Sequence, residues 1–332
     1  MLKNPFFKFI FNPISVFTYF GLAALATGAL PANAQTYPTR PITLIVGYAP
    51  GGPVDTAARI IQGPLQSRLG QTVVIENRGG ASGLLAGTAV ARATPDGYTL
   101  FFAASATQTM APHVQKSMPY DPLKDYTPVG LVVNAPNVLL INKDVPVKNM
   151  TELIAYAKAN PNKVSFGSAG PGAGNHLAGE LLKKVTGAQM LHVPYKGNAP
   201  AMTDLMAGTI TFMFDAVSTG ASSVASKRVI PLAITAAKRH SLLPHVPTMA
   251  EAGIANLIVE SFYAIEGPPS MPAAIVQRLN AALRDVLADP AVVRKLIDAG
   301  YDVMPSSPEE LAAKVKSDYE LWGRVAQGLT FD

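Results

Sequence analysis

Gly47-Tyr48-Ala49-Pro50-Gly51-Gly52-Pro53-Val54-Asp55-Thr56 stands between a short apolar run, Ile42–Val46, and an amphipathic pattern over residues 54–69. A strand that ends in a glycine-rich turn and opens a helix presents unpaired N–H groups at the positive end of the helix dipole, which suits a small anion. The turn has neither Gly-x-Gly-x-x-Gly spacing nor a Gly-Lys-Ser/Thr ending, so a carboxylate is expected rather than a phosphate. Its glycines permit positive φ and close approach, and Pro53 suits a first helical turn. Taken alone, the stretch fits an ordinary strand-to-helix connection equally well.

Working outward, Val54, Ala57, Ala58, Ile61, Leu65 and Leu69 form one apolar stripe that Gly70 can close, and Pro64 predicts a kink. Strands are expected at 42–46, 72–76 and 98–102, and helices at 54–69 and 83–93. Thr94-Pro95-Asp96-Gly97 marks a turn between helix and strand. This alternation argues for a parallel sheet covered by helices. A proline-punctuated segment, 112–128, leads into apolar runs at 129–133 and 138–141. Asn149 and Glu152 have capping-box spacing ahead of a helix that Pro161 ends. A second series follows: strand 164–166, glycine-rich loop 167–174, helix 175–186, strand 190–193, a short helix near 200–207, and strands 209–214 and 229–234. The tail is mostly helical, over 272–287, 290–299 and 308–325, the last capped by Ser307, Pro308 and Glu310.

Two α/β sets with no low-complexity linker predict two lobes joined by crossing strands, 129–133 outward and 260–265 returning. Lobe 1 is then residues 35–132 with 253–332, and lobe 2 is 133–252. A single continuous sheet of about nine strands is the alternative architecture. Ligands in such sheets lie beyond the carboxyl ends of strands, and a cleft between lobes is a common location.

Residues 1–34 read as a secretory leader. Lys3 and Lys8 precede an apolar stretch, and Ala32-Asn33-Ala34 meets the small-x-small rule with Gln35 as the mature start. A retained membrane anchor is the other reading. No cysteine is present, which excludes disulfides, thiolate metal sites, cysteine nucleophiles and a lipoprotein anchor. Losing Lys3 and Lys8 takes the net charge from +5 to +3. Acidic and basic residues are interspersed, which argues against a nucleic-acid partner. The five histidines, His113, His176, His192, His240 and His245, lack compact metal-ligand spacing, so neither a metal nor a cofactor is expected.

Blocks along nearly all of the mature chain resemble the Bug/TctC family, the extracytoplasmic solute receptors of tripartite tricarboxylate transporters. They include Tyr37-Pro38-Thr39-Arg40-Pro41-Ile42, Ala49-Pro50-Gly51-Gly52-Pro53-Val54-Asp55, Val74-Ile75-Glu76-Asn77-Arg78 and Pro95-Asp96-Gly97-Tyr98-Thr99-Leu100. Leu153-Ile154-Ala155-Tyr156-Ala157-Lys158-Ala159-Asn160-Pro161, His192-Val193-Pro194-Tyr195-Lys196-Gly197, Phe214-Asp215 and Pro247-Thr248-Met249-Ala250-Glu251-Ala252-Gly253 complete the pattern. The resemblance implies a type II-like periplasmic binding protein, in which two α/β lobes close over one small ligand, usually a carboxylate or dicarboxylate. It also implies residence in the periplasm, and membrane subunits of a transporter as partners in some members. Two departures stand out. Pro244-His245 lies where relatives often carry an acid, and Pro53-Val54 puts a valine where a threonine hydroxyl is common.

The resemblance places the carboxylate on the first turn, residues 48–55, and on a facing loop, residues 167–175. Gly51 and Gly52 are candidates for backbone contacts. Asp55 would repel a carboxylate, so it either fixes the turn or holds a water; Tyr48 either covers the ligand body or packs between sheet and helix. Ser168, Gly170, Gly174 and Asn175 belong to the second loop, where a serine hydroxyl and helix-start amides can donate. His176 begins that helix as a donor or as support for one. Ser105 and Thr107 follow a strand that points at the same cleft, Tyr195 can stack or donate, and Asp215 can orient donors or receive a ligand amine. No His-Glu-x-x-His or Gly-x-Ser-x-Gly motif appears, so a monomeric receptor is expected rather than an enzyme. A carboxylate-processing hydrolase and a ligand-responsive sensory protein are the alternatives.

Overall fold

The computed structural model describes residues 37–161, 163–255, 257 and 259–327. The expected leader and its cleavage point before Gln35 lie outside the described residues. The opening stretch resolves into β1 (Ile42–Val46), the glycine turn, and α1 (Pro53–Leu69). All six stripe residues of α1 are buried, and Gly70, at φ 72°, closes the helix with its N–H on the Gln66 carbonyl. The helix runs on through Pro64 to Leu69. Then come β2 (Val73–Asn77), α2 (Leu84–Ala91) and β3 (Thr99–Ala104). Strand β1 lies parallel between β2 and β3, with Leu44 opposite both Ile75 and Leu100. Apolar residues on both of its faces follow from helices covering both sides.

After β3 the chain makes a π-helical turn, Ala106–Met110, and a 3-10 turn, Ala111–His113, neither of which the sequence pattern foretells. The two apolar runs expected as separate strands, 129–133 and 138–141, are one 16-residue strand, β4 (Thr127–Asn142). Neither Asn134 nor Pro136 ends it. The structure continues with α3 (Met150–Ala159), β5 (Ser165–Ser168), α4 (Gly174–Thr186), β6 (Leu191–Pro194), α5 (Asn198–Ala207), β7 (Phe212–Ala216), α6 (Val217–Ala225) and β8 (Val229–Ile234). Helix α6 was not anticipated, because its small and hydroxyl residues carry little helical signal. Last come β9 (Glu260–Gly267), α7 (Ala273–Ala288), α8 (Pro290–Asp298), β10 (Asp302–Val303) and α9 (Pro308–Val325).

Long β4 organises both lobes. Its first part, to Pro136, pairs antiparallel with β9, and β10 flanks Val133 and Asn134 on the other edge. Its second part, from Asn137, pairs antiparallel with β7 and with β8. Strands β3 and β9 extend the first set, and parallel β7, β5 and β6 extend the second. A hydrogen-bonded path of eight strands, β2-β1-β3-β9-β4-β7-β5-β6, with β8 and β10 branching from β4, therefore runs through a two-lobed α/β fold, and the ten-stranded sheet is mixed rather than parallel throughout.

Separate cores flank each strand set. Helices α1, α7 and α8 cover one face of the first set, with Ile61, Leu65, Leu283 and Leu296 at its centre. In the second set Leu153, Leu177 and Phe212 form one core, and Leu205, Met213 and Val217 form another. Each fully buried side chain of this size contributes about 1.5–3 kcal/mol before entropy is counted. Helix α9 starts with a complete Ser307–Glu310 capping box. Its Leu311 and Val315 pack on Phe262, whereas Trp322 joins the core around Leu177.

Candidate ligand-binding site

The turn after β1 and the loop after β5 face one another, each feeding a helix whose first turn points into a shared cavity. Gly52, Pro53 and Val54 from α1 and Ala173, Gly174 and Asn175 from α4 line that cavity. Gly52 caps α1 in extended conformation and Ala173 does the same for α4, neither receiving a side-chain cap. The amides of Val54, Gly174 and Asn175 have no acceptor among the described residues. Two positive helix ends thus converge on one space. No Lys, Arg, Asp or Glu lines it; Tyr48, Asn137, Asn198, Ser261 and Tyr263 supply its polar side chains, with Ala104 and Ala106 among the apolar ones. The cavity volume is about 40 Å³, room for roughly three water molecules.

The first turn is fixed from behind. Asp55 is 2% exposed and accepts from the Gly51 N–H (2.9 Å), Arg59 Nε (2.8 Å) and Asn77 Nδ2 (2.9 Å). Burial pushes its carboxyl up, but the Arg59, Gly51 and Asn77 hydrogen bonds and the Arg59 charge outweigh burial and hold it below the usual value. The amide of Gly51 is therefore committed to Asp55. Gly51 has φ 80° and needs to be glycine, whereas Gly52 has an ordinary φ of −81°, and a Cβ there would meet only the Ala49 carbonyl, at 3.6 Å. The sequence offers both glycines for positive φ and close approach; the backbone requires glycine at Gly51. Tyr48 is buried, its ring on the cavity and its hydroxyl donating to the Ser82 carbonyl at 2.9 Å.

The second loop is tied by neutral groups. Ser168 Oγ lies 2.6 Å from His192 Nε2 and accepts from the Gly170 N–H at 3.1 Å. The Gly172 N–H donates to His176 Nδ1 at 2.9 Å, so that nitrogen carries no proton. The His176 and His192 rings stack at 3.8 Å. Burial, then its neighbours His192 and Lys183, push His176 down to about 3, and burial and Lys183 push His192 down to about 4. Asn175 accepts from the Ala169 N–H at 3.1 Å and donates to Asn198 Oδ1 and the Phe214 carbonyl, both at 3.3 Å.

The rims of the two lobes touch. Ser82 Oγ donates to the Pro171 carbonyl at 2.5 Å, and a Cβ on Gly170, whose φ is 116°, would come within 2.8 Å of that hydroxyl. A Cβ on Gly197 would meet Ala49 at 3.2 Å.

Of the sequence-derived candidates, Tyr48, Gly52, Gly174 and Asn175 line the cavity. Gly51 and Asp215 line an adjoining chamber. Ser105 Oγ accepts from the Phe262 N–H, Thr107 Oγ1 donates to the Ala104 carbonyl, and Tyr195 donates to Asp204 at 2.7 Å. Ser168, Gly170 and His176 stand behind the wall, shaping the loop. The missed wall residues Asn137, Ser261 and Tyr263 belong to β4 and β9, where nothing in a local pattern marks a strand residue as facing a cleft built from distant segments. Asn198, the residue that follows the His192–Gly197 block, was within reach of the motif reading. Val54 lies in the wall, so the missing threonine hydroxyl is an apolar patch on the cavity itself.

Two lobes that bring helix N-termini together over a cavity free of charged side chains define a solute-binding protein of the periplasmic type. The chain belongs to the TctC family, described as tripartite tricarboxylate transporter family receptors, whose model matches residues 57–331. The BugT protein of Bordetella pertussis is 34% identical over 305 residues, covering 92% of this chain and 94% of that one. The structure of the periplasmic binding protein BugD is 37% identical with a TM-score of 0.85, covering 89% of this chain and 99% of that one. The R. palustris protein Rpa4515 with adipate is 35% identical, TM-score 0.85, over 88% and 97%. MatC of Rhodopseudomonas palustris with bound malate is 33% identical, TM-score 0.85, over 87% and 100%. The protein is a periplasmic solute receptor, and among its described residues no helix is long and apolar enough to cross a membrane.

Proposed function

We propose that this receptor captures a small organic carboxylate between the α1 and α4 N-termini and presents it to the membrane subunits of a tripartite tricarboxylate-type transporter. The observation that carries the reading is the pair of opposed helix starts with uncommitted amides around a cavity without charged side chains. Such a site stabilises an anion with fixed dipoles and pre-placed donors. Adipate and malate in the two R. palustris neighbours support the same ligand class. Gly52, Val54, Gly174 and Asn175 hold the carboxylate through backbone N–H groups, and Tyr48 and Tyr263 cover the ligand body. Asp55 acts through Gly51, and Ser168, Gly170 and His176 act through the second loop.

The lobes move as two bodies, residues 35–132 with 253–332 against 133–252. The first bound lies within β4, a few residues before its pairing passes from β9 to β7 at Pro136 and Asn137. The protein acts as a monomer and carries out no chemistry on its ligand. Native mass spectrometry of periplasmic protein identifies the co-purified ligand, and incubation with mixed organic acids follows its fate. One unchanged carboxylate per chain is the expected result. Turnover would replace the receptor reading with a hydrolase, and capture of only uncharged solutes would remove the carboxylate.

A further inference from the structure

The carboxylate cavity ends at Gly52 and Asn198, and both residues also line a second chamber of about 210 Å³ on their far side. The first space takes a carboxylate and little more; the second has room for the rest of a ligand. Its walls include Met202 and Met206 from α5, and hydroxyl groups from α5 and α6. Asp215 closes it, 1% exposed, accepting from Asn198 Nδ2 and from Thr219 Oγ1 at 2.7 Å. No Lys or Arg lines either space. The combined volume is therefore polarised, with helix-start amides at one end and an acidic side chain at the other.

On the reading of this cleft as a carboxylate receptor, we propose that the chamber behind Gly52 and Asn198 receives the far end of the ligand, and that Asp215 selects a far end that donates hydrogen bonds, an ammonium or primary amide, over a second carboxylate. The Asp215 carboxylate holds Asn198 on one oxygen, Thr219 on the other and the Ala216 N–H besides, and with about four acceptor sites it has capacity for one more donor. An ammonium or amide that reaches it adds a charge-assisted hydrogen bond to a carboxylate that is itself buried. A second carboxylate would meet an acidic group with no cation alongside, and one of the two would have to take a proton. Asn198 is the partition between the spaces. It donates to Asp215 and accepts from Asn175, so a donor arriving at Asp215 can replace its amide without disturbing α4.

The test is calorimetry on the full mature chain with valerate, glutarate, glutaramate and δ-aminovalerate, repeated over a series of chain lengths. Wild type is expected to bind the amino or amide acid at least about tenfold more tightly than the matching dicarboxylate, and Asp215→Asn to erase that preference. Ser223→Lys, which brings a cation to the chamber wall without touching Asp215, is expected to raise dicarboxylate affinity about tenfold and keeps the test informative if Asp215→Asn does not fold. Dicarboxylates binding as tightly as their amino and amide counterparts, with the ranking unmoved in either variant, would overturn the assignment of Asp215 and leave the carboxylate cavity standing. Absence of binding by every acid, valerate included, would remove the carboxylate reading and this one with it.

Discussion

The turn after β1 is held by an ionised carboxylate, Asp55, that gathers a guanidinium, a side-chain amide and a backbone N–H. The loop after β5 is held by uncharged groups, Ser168 on His192 and the Gly172 N–H on His176, with the two imidazoles stacked beneath. Both deliver a helix start to one cavity. Charge anchors the first and desolvated neutrality the second, so removing a side chain, adding bulk or adding protons should affect them differently.

The largest expected effect is Asp55→Ala. It leaves the Gly51 N–H without its acceptor, leaves the Asn77 amide with the Tyr48 carbonyl alone and unpairs Arg59, so a loss of about 3 kcal/mol is expected in urea unfolding, toward the low end for a buried ion pair because Arg59 is half exposed. Ser168→Ala, on the other side, removes one neutral hydroxyl and should cost about 1 kcal/mol. Equal losses would erase the distinction between the anchors.

Affinity comes next. Gly52→Val places branched bulk on the cavity wall while its φ of −81° stays acceptable, so the chain should fold. Losing two amide bonds to a charged ligand, each worth about 1.5–3 kcal/mol, predicts affinity weakened by roughly 100-fold or more. Ser168→Ala should weaken it only a few-fold, because Ser168 Oγ is turned toward His192. Calorimetry with circular dichroism as the folding control decides this; near-native affinity in folded Gly52→Val would remove the first turn from the site.

Protons should separate the loops more gently. His176 sits near 3 in the fold against an ordinary 6.5, so between those values the unfolded chain holds a proton that the folded chain refuses, and stability falls as pH falls. From neutral pH to pH 5 that amounts to about 2 kcal/mol from His176, with His192, near 4, adding in the same direction. Asp55 is held below its ordinary 3.8, so its contribution is intact above that value and is lost only as pH falls through the lower folded value. Hydrogen exchange at pH 5, corrected for intrinsic rates, should therefore show the Gly172 amide loosened and the Gly51 amide unchanged. Uniform loosening of both would contradict the assignment of the anchors.

Local pattern made much of this legible. The α1 stripe, the Gly70 cap, the Ser307–Glu310 box and the strand-turn-helix at residues 42–69 are short-range arrangements whose physics is written in neighbouring residues. Strand β4 was read as two apolar runs, 129–133 and 138–141, because the residues between them, Asn134 to Asn137, interrupt the apolar pattern. The strand continues because Asn134 and Pro136 pair with Phe262 and Glu260 on β9, and Asn134 also with Asp302 on β10, contacts supplied by chain more than 100 residues away. The site divided the same way. Helix starts were visible, whereas Ser261 and Tyr263 reach the cavity through the pairing of β9 with β4, and Asn137 through the pairing of β4 with β7. Ser105, Thr107 and Tyr195 were in the right segments, but their hydroxyls found nearer partners than a ligand.

Tyr195 gives the smallest expected effect and probes the second loop apart from the cavity. Its hydroxyl donates to Asp204 at 2.7 Å, and that pairing, with burial contributing most, pushes the phenol up to about 12. The ring packs near Gly167, where an added Cβ would lie 3.4 Å from it, and does not line the carboxylate cavity. Tyr195→Phe keeps the ring and removes one side-chain hydrogen bond that is partly open to solvent, so stability should fall by about 0.5–1 kcal/mol. Ligand affinity should stay within about twofold, because the backbone of Asn175 and the α4 N-terminus are untouched. A tenfold loss of affinity at unchanged stability would mean that the ligand reaches the Tyr195 hydroxyl, and the wall of the second lobe would have to be redrawn to include β6 and the turn that follows it.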